Sequence, residues 1–309
     1  MLQAVLADFR SWGRVQILTT IDYRLSGISL NADRIIRLRH EEYFPVMDNL
    51  LARSDAALII APESDDNLAR LTALVERAGV PLLGSTSSGV TITADKWECS
   101  RLFAENGLPT PDTWRTNSTQ AIMVAKKLGF PVVIKPIDGA GCEAVSLASD
   151  ISSFHLAIRQ PNFQHKDFLL QQYIAGTHAS ASMLVSEHRV LPLSLNKQLI
   201  KIGIPFVYQG GLVPLQHPQR RQALELARQA VSLVPGLRGY VGVDMILTDD
   251  ECYLIEINPR VTTSYVGLRQ VINTNLAEAI WRSCKEDFLP KNIFISGKVS
   301  FYKEEFNAI

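Results

Sequence analysis

Tyr240–Thr248 and Cys252–Asn258 are two β-rich runs separated by Asp249-Asp250-Glu251, a tight polar turn, and together they read as a hairpin. Residues two apart on a strand share a face, so Glu256 and Asn258 point the same way and Asp244 on the partner strand meets them. Val243, Met245, Leu254 and Ile255 are too apolar for an exposed hairpin, and burying three polar side chains unpaired is expensive. An oxygen-liganded divalent cation such as Mg2+ satisfies Asp244, Glu256 and Asn258 together, whereas a solvated polar face is the alternative reading. Arg260 follows just past the strand end, a fixed positive charge beside the cluster.

The rest of the chain supplies room for a second half of such a site. It has 309 residues, enough for two or three domains, and at 47% hydrophobic and 20% charged it can bury a sizeable core. Lys plus Arg and Asp plus Glu both number 31, a balance that argues against nucleic acid or an anionic membrane as partner. Cys99, Cys142, Cys252 and Cys284 lie far apart without metal-type pairing and read as free thiols. With no apolar run of membrane-span length and no legible signal peptide, the expectation is a cytoplasmic chain. Asn117-Ser-Thr matches a glycosylation acceptor but reads here as the start of a helix cap.

Taken in order, the chain opens on an amphipathic helix carrying Leu2, Val5, Leu6 and Phe9. Strands at Val15–Ile21, Ala56–Ala61 and Pro81–Gly84 surround a helix near Asn67–Ala78, which predicts a parallel, helix-covered sheet. Pro62, Glu63 and Ser64 sit at one of its strand carboxyl ends, as helix capping or substrate contact. A helix with Trp97, Arg101 and Leu102 then runs to Asn106-Gly107, and Leu108-Pro-Thr-Pro111 makes a hinge. Beyond it a compact α/β pattern follows: strands at Thr113–Arg115, Val132–Lys135, Val145–Ala148 and Phe168–Ile174, with helices near Thr119–Leu128 and Ile151–Arg159. Strands at Ala179–Val185 and Arg189–Leu195 and a helix near Arg220–Leu233 lead to the hairpin. A long helix through Leu268, Val271, Leu276 and Trp281, then a final strand, end the chain.

Lys135 terminates an apolar strand and is kept from helix by Pro136. Asp138-Gly-Ala-Gly-Cys-Glu follows, and Gly139, Ala140 and Gly141 let backbone amides converge on phosphate oxygens; an ordinary turn would look the same in isolation. Lys96 beside Asp95 is a second cation at the junction between units. Two cations, a small-residue loop and a metal-binding hairpin are the inventory of phosphoryl transfer.

These motifs in this order, with the Gln171-Gln-Tyr-Ile-Ala-Gly strand end and Glu256-Ile-Asn258-Pro-Arg260, resemble the ATP-grasp superfamily over nearly the whole chain. The resemblance implies an α/β (α+β clasp) fold: a pre-ATP-grasp parallel α/β domain at 1–93, a linker helix and hinge at 94–112, a lid subdomain at 113–190 and a C-terminal subdomain at 191–309. It implies ATP with Mg2+ (or Mn2+) as cofactors, held at the phosphates by Lys96, Lys135 and the glycine loop. Gln171, Gln172, Tyr173 and Ile174 would line the adenine site, and Asp244, Glu256 and Asn258 would hold the metal. Arg260 and Lys135 become the catalytic candidates, with Arg260 facing the γ-phosphate or an acyl-phosphate. Many members bind the ribose with a glutamate after the hinge; Gly176-Thr-His178-Ala-Ser180 has no carboxylate, so His178 or Ser180 stands in its place. Members usually begin on a strand, which implies that a first strand lies upstream or that Met1 is a misassigned initiator.

Pro62-Glu63, Asn196-Lys-Gln198 and Asn258-Pro-Arg-Val-Thr-Thr-Ser-Tyr265 are similar to the branch that includes the tyramine–glutamate ligase of methanofuran biosynthesis. That branch implies a carboxylate–amine ligase whose partners are small-molecule substrates, a glutamate and a tyramine- or tyrosine-like amine, and a homodimer is compatible with it. Thr262, Thr263 and Ser264 precede a helix, where their amides either hold a substrate carboxylate or simply cap it. Asn196, Gln198 and Tyr208 are candidates for amino-acid recognition. The rival readings are an ATP-grasp ligase for another amino-acid pair and a non-catalytic ATP-binding regulator.

Overall fold

The apolar spacing of the first residues makes α1, Leu2–Trp12, which buries Val5, Leu6 and Phe9 and stops at Gly13 in the left-handed conformation. The computed structural model describes every residue except Ser26, Ala140, His165 and residues 304–309. β1 (Leu18–Asp22) and β2 (Arg34–Leu38) form a two-stranded parallel sheet with Leu18 opposite Arg34. β2 and the helix α2 (Tyr43–Leu51) were not expected from the sequence, because neither run shows clean alternation or capping. α3 spans Asn67–Arg77. The strands expected at Ala56–Ala61 and Pro81–Gly84 meet only at a single parallel bridge, Ala57 to Leu82. Pro81 has no N–H to extend the ladder, so the pairing is confined to Ala57 N–H donating to the Pro81 carbonyl at 2.9 Å and Leu83 N–H donating to Ala57 at 2.7 Å.

The helix expected through Trp97 is preceded by a separate one: α4 covers Ser87–Ala94 and α5 Lys96–Glu105. Asp95 breaks them, its extended backbone letting its carboxylate accept from the N–H groups of Trp97 and Glu98 at 2.8 and 3.1 Å. A four-stranded sheet follows, built from β3 (Thr113–Thr116), β4 (Val132–Pro136), β5 (Ser146–Ala148) and β6 (Phe168–Gln172) in the order β3-β6-β4-β5. α6 (Ala121–Leu128) and α7 (Ile151–Ile158) cover it over a core of Ala125, Ile134, Phe154, Phe163 and Phe168. The expected cap at Asn117 lies one turn earlier: its side chain accepts from Thr119 and Gln120 N–H in the turn before α6, whose own N-cap, Gln120, makes no side-chain cap.

The C-terminal sheet has six strands: β7 (Thr177–Val185), β8 (Val190–Lys201), β9 (Val207–Val213), β10 (Gly239–Leu247), β11 (Cys252–Asn258) and β12 (Val299–Tyr302), ordered β11-β10-β7-β8-β9-β12 and antiparallel throughout. Period-two alternation gives each face its own core. Ala181, Met183, Val241 and Val243 pack with α8 (Arg220–Ser232), while Leu184 and Tyr240 face α9 (Ser264–Val271) and α10 (Leu276–Lys285). Two expectations change here. β7, grouped with the lid by a boundary at 190, pairs with β8 and β10, so the lid sheet ends at β6. The single long helix is two, because Asn275 caps α10 by accepting from Glu278 N–H at 3.0 Å.

The first helix is tied to this last unit. The Asp8 carboxylate accepts from Tyr265 Oη at 2.7 Å and from Arg269 at 2.9 and 2.6 Å, all across the core that α1 shares with α10. Burial and the Asp8 charge push the Tyr265 hydroxyl above the usual tyrosine range, which keeps it a donor. Asp8→Ala strands both donors, and chemical denaturation should show a loss of about 3 kcal/mol, with a shift under about 1 kcal/mol contradicting this account.

Candidate active site

The hairpin has the predicted register. Asp244 on β10 lies opposite Glu256 on β11, and Gly242 lies opposite Asn258. The polar face they form turns inward, and Thr248 closes the turn by accepting from the N–H groups of Asp250 and Glu251. Gly242 matters for what lies above it, since a Cβ there would sit 2.5 Å from Thr262 Cγ2; the bare backbone lets the segment after Arg260 fold down onto the hairpin. Burial and the nearby Glu256 charge push Asp244 up to about 7, against the opposing pull of Gln198 and Asn258 hydrogen bonds. Burial also disfavours charge on Glu256, but Lys96 and Lys135 outweigh it and hold Glu256 below its ordinary value. Two crowded carboxylates plus an amide oxygen form a hard donor set, which fits Mg2+ and its preference for a few protein oxygens. A cation there would relieve the repulsion that raises Asp244.

The cations arrive from other elements. Lys96, at the start of α5, is 8% exposed and so is not the solvated lysine of a plain capping motif. Its Nζ donates to the Gly139 carbonyl at 2.7 Å and lies 3.4 Å from Glu256 Oε2, so it bridges the glycine loop and the hairpin. Lys135, at the end of β4, is buried and donates to Gln171 Oε1 at 3.0 Å, and Gln171 in turn donates to Thr113 Oγ1 at 2.8 Å. Burial is the main reason that Lys135 is pushed down to about 8. Gly139 and Gly141 have φ of 109° and 68°, the left-handed backbone that the loop reading requires of them. Ala140 lies outside the described residues.

A cleft of about 1390 Å³, open solvent included, unites these groups. Its lining contains Lys96, Lys135, Gly139, Gly141, Gln171, Gln172, Tyr173, Ile174 and His178, together with Gln198, Tyr208, Asp244, Glu256, Asn258, Arg260, Thr262, Thr263 and Ser264. His178, whose pKa burial lowers, stands edge-on to Phe206 with ring centroids 6.3 Å apart, and Ser180 is beside it. The Thr262–Ser264 hydroxyls do not cap α9. Thr263 shares a 2.9 Å hydrogen bond with Tyr208 Oη, and Thr262 shares one of the same length with Ser264.

Asn196 is not brought to the cleft. It lies on the same sheet face as Gln198 but one step deeper, 1% exposed, and donates to Ser182 Oγ at 2.9 Å, which also accepts from Tyr240 Oη at 2.7 Å. Lys197, between the two polar residues singled out, does line the cleft, as do Glu143, Phe206 and Phe301. Phe301, on β12 at the far end of the chain, carries no local signal that could have pointed to it. Glu63 neither caps α3 nor lines the cleft. It is 5% exposed and accepts from Arg260 Nη2 at 2.7 Å through Oε2.

Two antiparallel sheets, one of four strands and one of six, flank a cleft that carries both lysines and carboxylates, the layout of a two-sheet clasp. Residues 93–264 match the family model for the ATP-grasp domain and residues 15–90 that for the pre ATP-grasp 3 domain. The tyramine–L-glutamate ligase of Methanocaldococcus jannaschii is 30% identical over 94% of this chain and 83% of its own length. That of Methanocaldococcus fervens is 33% identical over 76% of this chain and 68% of its own. Among solved structures, an ATP-grasp superfamily protein from Archaeoglobus fulgidus superposes with a TM-score of 0.69 at 26% identity, covering 94% of this chain and 81% of that one. The chain belongs to the ATP-grasp family. It is an ATP-dependent ligase that forms carbon–nitrogen bonds. No helix among the described residues is long and apolar enough to cross a membrane.

Proposed function

We propose that the protein joins the carboxylate of glutamate, free or at the end of a glutamylated chain, to a tyramine- or tyrosine-like amine, as a step in building a methanofuran-type cofactor. The observation that carries this is the match to two tyramine–L-glutamate ligases, one over 94% of the chain, combined with a cleft where Lys96, Lys135, Asp244, Glu256, Asn258 and Arg260 converge. In this reading Lys96, Lys135 and the glycine loop grip the triphosphate of ATP. Gln171 to Ile174 flank the adenine, and His178 and Ser180 take the ribose in place of the family's glutamate. Asp244, Glu256 and Asn258 hold Mg2+, with Mn2+ able to substitute; the metal supplies charge neutralisation at the phosphates.

The substrate carboxylate attacks the γ-phosphorus in line, ADP leaves, and an acyl-phosphate forms. Arg260 offsets charge on the transferring group. The amine then attacks the acyl carbon, phosphate departs, and the amine's proton goes to solvent or phosphate. Thr262, Thr263, Ser264, Gln198 and Tyr208 orient the two substrates. Phosphate release with glutamate and a panel of amines tests the assignment. The expected result is turnover with tyramine or tyrosine that exceeds other amines by about tenfold or more. Equal rates with unrelated amines, or turnover only with a different acid, would replace this substrate pair with another.

Lys135 gives a pH signature. Its pKa is pushed down to about 8 by burial, below that of a free lysine, so about half of the side chains are neutral at pH 8. A bound phosphate favours the charged form, so nucleotide binding takes up protons at pH 8 and weakens as the pH rises above it. Calorimetry in buffers of different ionisation heat should detect this uptake, and Lys135→Arg should remove it. Buffer-independent heats for the unaltered protein would contradict a phosphate contact by Lys135.

A further inference from the structure

Glu63 Oε1 and Arg260 Nε are both buried without a hydrogen-bond partner among the described residues, and they belong to the same ion pair. A buried ion pair with unmet polar atoms is costly to keep, so its retention calls for a reason beyond stability. The guanidinium supplies one. Nη2 donates to Glu63 at 2.7 Å and Nη1 donates to the Val261 carbonyl at 3.2 Å, which fixes the plane of the group and leaves each of these two nitrogens a second N–H that no described residue accepts. Arg260 also lines the cleft, and Glu63 does not.

The loop that carries Glu63 is itself held in an unfavourable shape. Asp65 and Asp66 have φ of 54° and 57°, left-handed values that side chains with a Cβ rarely adopt. Such strain persists where the surroundings over-determine it. Here the surroundings are the glycine loop: Asp65 N–H donates to Asp138 Oδ2 at 3.3 Å, and Ser64 Oγ lies 3.9 Å from where a Cβ on Gly139 would be. One short loop of the first domain therefore bonds to the lid through Asp65, passes close to Gly139 at Ser64, and holds Arg260 through Glu63.

We propose that Glu63 is a positioning residue for the ligation: it orients the Arg260 guanidinium so that uncommitted N–H groups are presented to the reacting phosphate. This rests on Arg260 acting at that phosphate. Glu63 does not touch substrate, so its loss should appear in turnover and not in nucleotide binding.

The test measures phosphate release and the affinity for a non-hydrolysable ATP analogue in Glu63→Ala, Glu63→Gln, Arg260→Lys and the double variant Glu63→Ala with Arg260→Lys. Glu63→Ala should lower kcat about 100-fold with the analogue's Kd changed by less than about twofold. Glu63→Gln, whose amide oxygen accepts the same Nη2–H, should return to within about fivefold of the unaltered protein. In the Arg260→Lys background the alanine should cost nothing further, because both changes remove one device. If Glu63→Ala does not fold, Glu63→Asp takes its place, with a loss of kcat at intact analogue affinity expected and a normal kcat counting against the idea. A normal kcat in Glu63→Ala, a glutamine no better than alanine, or losses that multiply in the double variant each overturn the proposal. If Arg260→Lys itself turns over normally, the role of Arg260 is wrong and this one falls with it; a slow Arg260→Lys beside a normal Glu63→Ala removes the Glu63 role alone.

Discussion

Arg260→Ala should lower turnover about 1,000-fold while ATP affinity changes by less than about threefold. The asymmetry follows from which groups are proposed to grip the nucleotide. Lys96, Lys135 and the glycine loop come from α5, β4 and the loop after it, none of which depends on Arg260 for its position. Arg260 instead stands past the end of β11, held by Glu63 and the Val261 carbonyl. A donor that meets charge developing in the transition state costs rate and not ground-state affinity when removed. Removing the arginine also leaves Glu63 buried and unpaired, so Arg260→Ala should be less stable, and thermal unfolding run beside the assay separates the two effects. Near-normal turnover in a folded Arg260→Ala protein would sink the assigned role.

Glu256→Gln should also have a large effect, by a different route. Glu256 faces Asp244 across the hairpin and lies 3.4 Å from Lys96 Nζ, so its charge would serve both the proposed metal site and the lysine. The amide keeps the shape but loses the charge, and apparent Mg2+ affinity should fall about 10- to 100-fold, with turnover at low Mg2+ falling by at least as much. Raising Mg2+ should recover part of the rate. In the metal-free protein the sign is opposite for the neighbour: with Glu256 neutral, one cause of the raised Asp244 pKa, secondary to burial, is gone, and that pKa should fall. Carboxyl titration by NMR checks the second statement. An unchanged Mg2+ dependence in Glu256→Gln would remove Glu256 from the metal site.

Much of this site was legible because the information is local. The period of two placed Glu256 and Asn258 on one face, and the short polar turn at residues 249–251 brought Asp244 on the adjoining strand to meet them. The strand-end position of Lys135 and the glycines after it depended only on Pro136 and on backbone freedom at Gly139 and Gly141. Local reasoning failed where the neighbour came from elsewhere. Asn196 and Gln198 share a face by the same rule, yet only Gln198 reaches the cleft, because Asn196 is covered by Ser182 and Tyr240. A continuous apolar stripe through Leu268 and Trp281 suggested one helix, and the break at Asn275 is secured by its side chain reaching back to the Asp8 carbonyl at 2.9 Å.

The polar hairpin face, the two lysines and the loop between strands were determined by the sequence itself, since each depends on residues within a few positions of one another. Which charge sits against Arg260 was decided only by the tertiary structure. Glu63 is 197 residues away, in a loop whose sequence reads equally well as a helix cap. A strand's alternation is set by backbone geometry that every residue obeys, whereas the partner of a buried charge is whichever segment the whole packing leaves beside it.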